Sequence, residues 1–448
     1  MGKERLPVGL VTLGCAKNQV DSEYMLSELE DSGFTLTEDF SRAVAIVVNT
    51  CGFIQPAKEE SIETILEAAR YKETGCCRVL AVVGCLAERY RAELEKELPE
   101  VDIFIGLGED QRRLGPLLCQ ALGARPQAPG KKTFSPRLVR TAAQGWAYLK
   151  ISEGCDNRCS YCAIPLIRGS LASRPERELV EEARYLESLG VIELNLIAQD
   201  VTAYGMERKG QASRLVGLLE LLLTETSIPW IRLLYLHPAH LERRLLELIA
   251  GNSRLLPYLD IPIQHASDRM LARMGRKVTR NDILRTIELA RTILKNPVLR
   301  TTVLVGFPGE TRRDFRELIE FIQAVRFDRL GGFVYSREEG TAAYALRGRL
   351  SRAERERRLG TVLQIQREIS AVLNAGRVGQ VLPVLVERAL DPGEAPSAEY
   401  RWSGRSQGHA PEVDGWVYVQ GEKLAPGSLA EVRITESGDY DLFGIAIE

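Results

Sequence analysis

The stretch GCDNRCSYCAIP, residues 154–165, places Cys155, Cys159 and Cys162 in the pattern Cys-x-x-x-Cys-x-x-Cys. Thiolates at positions i, i+4 and i+7 of one short loop can reach three corners of a four-iron cluster, which leaves the fourth iron without a protein ligand. Zinc sites use two Cys-x-x-Cys pairs or cysteine–histidine pairs instead. The loop therefore predicts an iron–sulfur site with one iron open for chemistry, in preference to three structural cysteines.

Strand-like and helix-like segments alternate around this loop. The predicted strands are WAYLKIS, IELNLIA, WIRLLYL, YLDIPIQ, VLRTTVLVG and RLGGFVYS, beginning at Trp146. Five helical segments lie between them, and this order predicts a partial β/α barrel that is open on one side. In such barrels the site lies at the C-terminal ends of the strands, and the cysteine loop follows the first strand.

The chain before the barrel alternates in the same way and predicts a parallel sheet covered by helices. Cys15, Cys51 and Cys85 follow its first three predicted apolar strands. Because the C-terminal ends of parallel strands meet at one edge, we expect these three thiols to converge on a second cluster site. The alternative is three unrelated buried cysteines. No role is assigned to the remaining cysteines, Cys76, Cys77 and Cys119.

From about Arg377 the sequence changes to five short strands separated by turn residues, which predicts a small all-β barrel. The segment from Arg377 to Glu448 has six basic and twelve acidic side chains, a net charge of −6. Such a module repels phosphates and attracts basic polypeptides. The predicted boundaries are 1–125 for the first domain, 126–140 for a Pro- and Gly-rich linker, 141–375 for the barrel and 377–448 for the small β-barrel.

The composition limits the remaining possibilities. A length of 448 residues suggests about three domains, and a net charge of −2 with a pI near 6.3 argues against nonspecific coating of nucleic acid. The sequence has neither the pattern of a secretory signal at its start nor an apolar run of about eighteen residues, so we expect a cytoplasmic protein. Nine cysteines in a reducing compartment favour metal ligands and buried thiols over disulfides.

Taken together, the cysteine pattern, barrel and terminal β-module resemble the methylthiotransferases, which are radical S-adenosylmethionine enzymes that insert sulfur into an unactivated C–H bond and methylate it. The terminal module is similar to a TRAM domain. The strings LGCAKNQVDSE, GCDNRCSYCAIPLIRG, NLIAQDVTAYG and TTVLVGFPGET resemble the branch (RimO type) that modifies an aspartate of small-subunit ribosomal protein twelve. The transfer RNA branch has Gln-Met-Asn after its first cysteine and Gln-Ser-Gly where this chain has Gln264-His265-Ala266.

The resemblance implies two [4Fe-4S] clusters and S-adenosylmethionine. The cluster of Cys155, Cys159 and Cys162 would be the catalytic one, giving a 5′-deoxyadenosyl radical that attacks the β-carbon of the aspartate. The second cluster would supply sulfur, and both would face one substrate. The resemblance also implies a flavodoxin- or ferredoxin-like electron donor. We further expect a monomer that neither associates with membranes nor binds nucleic acid stably.

Further cofactor contacts are expected at strand ends and near the cysteine loop. Gln199 and Asp200 end the second barrel strand, and the glycine-containing segment Gly306–Glu310 follows the fifth. The predicted contacts are Tyr161, Ser173, Arg174, Gln199, Asp200, Gly306, Gly309 and Glu310. Helix capping by Ser173 and a merely structural Gly-rich turn are the alternatives. His237 and His265 also end predicted strands, where substrate contact competes with a buried structural role.

Three rival functions remain open on the sequence. A transfer RNA methylthiotransferase would use the same chemistry, and it predicts a basic terminal module. A non-catalytic iron–sulfur protein would usually saturate each cluster with four thiolates, whereas each group here has three. A zinc-binding interaction protein would hold no iron.

Overall fold

The structure, a computed structural model, describes residues 5–125, 136–208, 210–391 and 393–447. It divides into two compact units. The first comprises Met1–Arg140, Cys162–Ser170 and Ser336–Thr341, and the second comprises the rest of the chain. Most of the predicted linker lies outside the described residues. Its end does not: Arg137 is buried and pairs with Glu23. The domain boundaries stay a prediction.

The first unit is built on one parallel sheet. Its strands are β1 (Pro7–Thr12), β2 (Thr35–Leu36), β3 (Ala45–Thr50), β4 (Val79–Gly84) and β5 (Ile103–Ile105). Its helices are α1 (Ala16–Asp31), α2 (Gln55–Ala69), α3 (Tyr71–Thr74), α4 (Cys85–Glu97), α5 (Leu114–Leu122) and α6 (Ile164–Ile167). The strand order is β2-β1-β3-β4-β5, and every residue of β3 and β4 is buried, as expected for central strands covered on both faces.

This arrangement confirms the predicted parallel sheet, with two differences in extent. Helix α1 begins at Ala16, whereas its apolar periodicity predicts a helix around Glu23–Leu29. Its first turns contain buried polar side chains, among them Asn18 and Asp21, which hide the helical pattern. The apolar run VDIFIGLG, residues 101–108, predicts a longer last strand, but β5 covers only Ile103–Ile105.

The second unit contains a six-stranded parallel sheet. Its strands are β6 (Trp146–Lys150), β9 (Glu193–Ile197), β10 (Trp230–Leu233), β11 (Leu255–Asp260), β12 (Val298–Val305) and β13 (Arg329–Val334), and a short hairpin adds β7 (Ser152–Glu153) and β8 (Ala172–Ser173). Its helices are α7 (Glu176–Ser188), α8 (Leu215–Glu225), α9 (Arg243–Gly251), α10 (Asp268–Arg273), α11 (Arg280–Ile293), α12 (Arg312–Val325) and α13 (Arg352–Ala375).

The strand order β13-β12-β11-β10-β9-β6 is sequential, and the edge strands β6 and β13 do not pair with each other. This confirms the predicted partial barrel with its five crossover helices. Two of those helices, α11 and α12, begin with capping boxes at Thr279 and Thr311, which fix their first turns. Helix α10 and the β7–β8 hairpin were not predicted, because both are too short for a periodic pattern.

The C-terminal strands form a closed five-stranded barrel, as predicted. They are β14 (Val381–Ala389), β15 (Trp402–Ser406), β16 (Val417–Gln420), β17 (Ser428–Ser437) and β18 (Leu442–Ala446), in the order β14-β15-β16-β18-β17. Small apolar side chains such as Val384, Val419 and Val432 fill its interior. Among the described residues, no helix is long and apolar enough to span a lipid bilayer.

Candidate functional site

Three cysteines of the first unit lie at the C-terminal ends of adjacent parallel strands. Cys15 follows β1 and is the N-cap of α1, Cys51 follows β3, and Cys85 is the first residue of α4, directly after β4. The strands β1, β3 and β4 are neighbours in the sheet. The predicted convergence of these strand ends is therefore what the fold produces.

The backbone around these cysteines is closely packed. Gly84 has φ +93, and a Cβ there would lie 2.3 Å from the Asn49 side-chain oxygen, so only glycine allows β4 to turn directly into α4. A Cβ on Gly14 would lie 2.9 Å from the Cβ of Cys51. The loops that carry Cys15 and Cys51 thus lie so close together that a side chain at position 14 would collide with Cys51.

The electrostatics of this site combine burial with favourable charge. Burial raises the pKa of the Cys85 thiol to about 12, and the Arg168 charge opposes that rise. Burial likewise raises the pKa of Cys51. Cys85 is the first residue of helix α4, where the helix dipole favours a thiolate. The buried thiols hold their protons at neutral pH until a metal displaces them.

The spacing of the three sulfur atoms bears on whether they could hold a single ion. Among the described residues, the one group of three ligand atoms that lie within 4.8 Å of one another is Asp200, His237 and His240. The sulfur atoms of Cys15, Cys51 and Cys85 therefore do not all lie within 4.8 Å of one another. A tetrahedral zinc with Zn–S bonds of about 2.3 Å needs sulfurs about 3.8 Å apart. As placed, these sulfur atoms are more widely spread than the ligands of a single zinc ion.

A buried arginine, which the sequence analysis did not single out, borders this site. Arg168 is the C-cap of α6, and its side chain is 2% exposed. Its Nη2 lies 2.6 Å from Asn18 Oδ1, 3.1 Å from Asp21 Oδ2 and 3.4 Å from Cys85 Sγ. Ala163 and Ile167 pack with Cys85 in a small apolar cluster that fixes this arrangement. The signal in the sequence was the position of Arg168 six residues after Cys162.

In the second unit, Cys155 and Cys159 lie in the loop after the β7 strand. Ser160 anchors this loop: its N–H donates to Met274 O at 2.8 Å and its hydroxyl donates to Arg273 O at 2.9 Å. Burial raises the pKa of Cys155 to about 11. Cys162 is half-buried and begins the segment that belongs to the first unit. Each of the three cysteines is at least partly accessible to a ligand.

A cavity of about 170 Å³ lies beside Cys155. It is lined by Gly154, Cys155, Asp156, Asn157, Leu171, Asp200, Ala203, Met206, Arg208, Gly210, Gln211, His240 and Lys277. Ligand pockets for molecules of drug size have volumes of roughly 300–1,000 Å³. This cavity is therefore large enough for one end of a cofactor of that size. Of the predicted contacts, it includes Asp200.

Asp200 is held by a polar network in this cavity wall. Its Oδ2 accepts a hydrogen bond from Asn157 Nδ2 at 2.8 Å and lies 2.9 Å from His240 Nδ1, and its Oδ1 accepts one from Thr202. Burial would raise its pKa, but the hydrogen bonds lower it. Burial lowers the pKa of His237 to about 3, so this histidine is neutral. No motif or periodicity of the sequence points to His240 or Asn157.

Three other predicted contacts, Gln199, Ser173 and Arg174, are not among the residues that line this cavity. Gln199 donates from Nε2 to Glu153 at 3.3 Å, while its Oε1 is buried without a partner among the described residues. That oxygen is an available acceptor for a ligand N–H or O–H. Ser173 does not cap helix α7, whose N-cap is Pro175; its hydroxyl accepts from Gly205 N at 2.8 Å. Arg174 pairs with the buried Glu182 at 2.7 Å.

Tyr161 packs edge to face against Phe307, with ring centroids 6.4 Å apart, so the cysteine loop touches the segment after β12. Gly306 and Gly309 have φ of +74 and +84. A Cβ on Gly306 would lie 2.3 Å from Arg355, so this glycine accommodates a side chain of the protein itself. A role of either glycine toward a cofactor stays a prediction.

Glu310 and His265 are both fully buried. Glu310 accepts a hydrogen bond from Gly306 N at 2.6 Å and pairs with Arg358, and burial raises its pKa. His265 Nδ1 accepts from Ala266 N and Ser267 N, both at 3.0 Å, and burial lowers its pKa to about 4. Because the Glu310 carboxylate closes the turn of its own loop, a direct contact with a cofactor would require that turn to open.

Comparison with known families follows the same division of the chain. Residues 7–106 match the family described as "Uncharacterized protein family UPF0004", residues 149–322 match the Radical SAM superfamily, and residues 378–447 match the TRAM domain.

Similar chains also exist among curated proteins and solved structures. "Ribosomal protein uS12 methylthiotransferase RimO" of Heliobacterium modesticaldum is 44% identical over 99% of this chain and 95% of its own length. The protein of the same name from Desulforudis audaxviator is 45% identical over 97% and 96%. The solved radical S-adenosylmethionine methyltransferase TsrM of Kitasatospora setae has a TM-score of 0.56 at 16% identity, over 76% of this chain and 77% of that one, which shows a shared fold alone.

The central sheet, its cysteine loop and these matches define a radical S-adenosylmethionine enzyme with a TRAM domain. The full-length similarity narrows the class further. The chain belongs to the family of ribosomal protein uS12 methylthiotransferases of the RimO type.

Proposed function

We propose that this enzyme methylthiolates the β-carbon of an aspartate in ribosomal protein uS12, using S-adenosylmethionine and two [4Fe-4S] clusters. The observation that carries the proposal is the pair of three-cysteine groups, one at the strand ends of the first unit and one in the loop after β7. Its curated relatives bear the name of this activity over nearly the whole chain.

Cys155, Cys159 and Cys162 would hold the cluster that binds S-adenosylmethionine. When the cluster and S-adenosylmethionine are both bound, they supply a 5′-deoxyadenosyl radical. This radical can remove hydrogen from a carbon that no ordinary base can deprotonate. The protein itself positions the cofactor and shields the radical. Gln199 Oε1 offers a buried acceptor that has no partner in the described part of the chain, and Asp200 is oriented by Asn157 and His240 at the wall of the adjoining cavity.

Cys15, Cys51 and Cys85 would hold the second cluster, which supplies the sulfur. The spread of these sulfur atoms and the helix N-terminus at Cys85 support a polynuclear, anionic site. The proposed reaction requires both clusters to act on one substrate side chain, because a carbon radical reacts with the nearest partner.

The charge of the small barrel supports a basic polypeptide as substrate. Among its described residues, eight acidic side chains are exposed, against three basic ones, Arg401, Lys423 and Arg433. Two further basic residues, Arg377 and Arg405, form ion pairs with Asp328 and Glu387 inside the second unit. The outer surface is therefore acidic, which favours a basic ribosomal protein over RNA phosphates.

The remaining expectations belong to the same proposal. A ribosomal substrate agrees with a cytoplasmic location, a flavodoxin- or ferredoxin-like protein would deliver the electron, and the enzyme would act as a monomer without stable nucleic-acid binding.

The test uses reduced, cluster-loaded enzyme with S-adenosylmethionine and either uS12 or transfer RNA, followed by mass spectrometry of both. We expect a methylthio group on the uS12 aspartate, whereas a mass gain only on RNA would refute the substrate. Cys155→Ala should abolish 5′-deoxyadenosine, and Cys51→Ala should retain it but give no methylthiolated product. Cys76→Ala, at an exposed cysteine outside both groups, is the matched control and should behave like the wild type.

A further inference from the structure

We propose that Arg168 is a positioning residue of the second cluster site: it donates an N–H···S hydrogen bond to Cys85 and thereby raises the reduction potential of the cluster held there. The inference rests on the proposed function, in which Cys15, Cys51 and Cys85 are ligands. It concerns a side chain from the segment after Cys162, the last cysteine of the other group.

The geometry of Arg168 leaves it little freedom. Its guanidinium is planar and permanently charged, and its side chain is 2% exposed. One nitrogen, Nη2, reaches Asn18, Asp21 and Cys85 at 2.6, 3.1 and 3.4 Å. Asp21 compensates the buried charge, and its side chain is only 7% exposed. The positive group is thus fixed against the sulfur and screened from water.

The hydrogen bonds of Asn18 indicate which group would donate to Cys85 when a cluster is bound. Its Nδ2 donates to Leu13 O at 2.8 Å and to Thr50 O at 3.0 Å, so its Oδ1 must face Arg168 and Cys85. As a thiol, Cys85 can donate to that oxygen, 3.6 Å away. A cysteine that binds metal has lost this proton. The Asn18 oxygen then faces the sulfur with no hydrogen between them, and Arg168 supplies the donor.

An N–H···S bond and a buried positive charge both stabilise added negative charge on a cluster. Arg168 and Cys85 are both buried, so water screens this interaction weakly. The proposed reaction would depend on this higher reduction potential. Joining a carbon radical to a sulfide anion forms one C–S bond and leaves one electron over, and the site that held the sulfur is the acceptor at hand. A higher potential favours that transfer.

The test measures the potential directly. In the full-length chain, replacing Cys155, Cys159 and Cys162 by alanine leaves the second group as the remaining three-cysteine site. This parent is reconstituted anaerobically, and its midpoint potential is measured by redox titration with electron paramagnetic resonance. Arg168→Met, Arg168→Lys and Arg168→Met with Asp21→Asn are then compared with it. Arg91→Met is the control, because Arg91 lies in the same unit but is 57% exposed.

We expect Arg168→Met to lower the reduction equilibrium constant at least tenfold, which is about 59 mV for a one-electron couple. Arg168→Lys should recover part of the shift, because it restores the charge without the planar fork, and Arg91→Met should change nothing. The double variant removes both buried charges. If circular dichroism shows that Arg168→Met does not fold, the potential of the double variant is measured in its place. With all six cysteines present, Arg168→Met should form 5′-deoxyadenosine normally but give less methylthiolated uS12.

Two results would overturn the reasoning at different levels. A parent with about four irons whose potential is unchanged by Arg168→Met, or by the double variant, refutes the role of Arg168 and leaves the proposed function intact. A correctly folded parent that binds no cluster refutes the second cluster itself, and with it the proposed function.

Discussion

A buried ion-pair network joins the small barrel to the central sheet within the second unit. Glu193, at the start of β9, is fully buried between two guanidinium groups. Its Oε1 lies 2.6 Å from Arg232 Nε, and its Oε2 lies 2.6 Å from Nη2 of Arg405 on β15. Because this barrel carries the acidic surface that we propose to bind uS12, the network bears on how firmly that surface is held to the central sheet.

We predict that Glu193→Gln, which keeps the shape and removes the charge, lowers the free energy of unfolding of the second unit by about 3–5 kcal/mol. Two buried arginines would then share one remaining carboxylate, Glu387. With a denaturant dependence of about 3 kcal/mol per molar urea, the unfolding midpoint should fall by roughly 1–1.7 M. The control is Glu181→Gln, a half-exposed residue paired with the exposed Arg177, which should change the free energy by about 0.5 kcal/mol or less.

Urea unfolding followed by tryptophan fluorescence measures this effect. The four tryptophans, Trp146, Trp230, Trp402 and Trp416, all belong to the second unit, two in the sheet region and two in the small-barrel region. An unchanged midpoint for Glu193→Gln, or an equal loss for Glu181→Gln, would refute the reasoning.

The pH dependence provides a second check. Burial alone would raise the pKa of Glu193, but Arg232 and Arg405 together lower it in the folded state. A carboxyl group whose pKa is lowered by folding stabilises the protein above its unfolded value of about 4.3. The difference between wild type and Glu193→Gln should therefore be full at neutral pH and shrink as the pH falls below about 4.3.

Three further predictions concern the proposed sites. Gln199→Leu should weaken S-adenosylmethionine binding about tenfold in equilibrium dialysis, since it removes a buried acceptor, whereas Gln364→Leu on the exposed face of α13 should not. Glu431→Lys with Glu436→Lys, both exposed on β17, should slow uS12 association and reduce its salt dependence in surface plasmon resonance, while Glu320→Lys on α12 should have little effect. Iron loading should be weaker at pH 6 than at pH 8, because the thiols of Cys85 and Cys155, with pKa values of about 12 and 11, must lose protons to bind metal; equal iron content at both pH values would contradict this.

The sequence predicted the fold where periodic burial determines it. The apolar runs of β3 and β4 and the crossover pattern of the six-stranded sheet required only that each strand be covered on both faces. The predicted helix was shorter than α1, because the first two turns of α1 contain Lys17, Asn18 and Asp21 as buried residues. Polar side chains gathered around a site break the helical pattern, so the missing turns mark the site itself.

The candidate sites divide in the same way. The six cysteines were identified because their spacing, and their places after strands, are local features of the chain. Asn157, Arg168 and His240 were not, because each acts on a group far away in sequence: Arg168 reaches Asn18 across 150 residues, and His240 reaches Asp200 across 40. No periodicity or motif of one sequence reveals which polar side chains meet.

By itself, the sequence determined the order of strands and helices, the two groups of cysteines and the acidic character of the last module, because these depend on residue type and neighbours along the chain. Only the tertiary structure decided which polar side chains surround the thiols, that Glu193 is enclosed by Arg232 and Arg405, and that Glu310 turns into its own loop. The reason is physical: hydrogen bonds and desolvation depend on distances between groups that only the folded chain brings together.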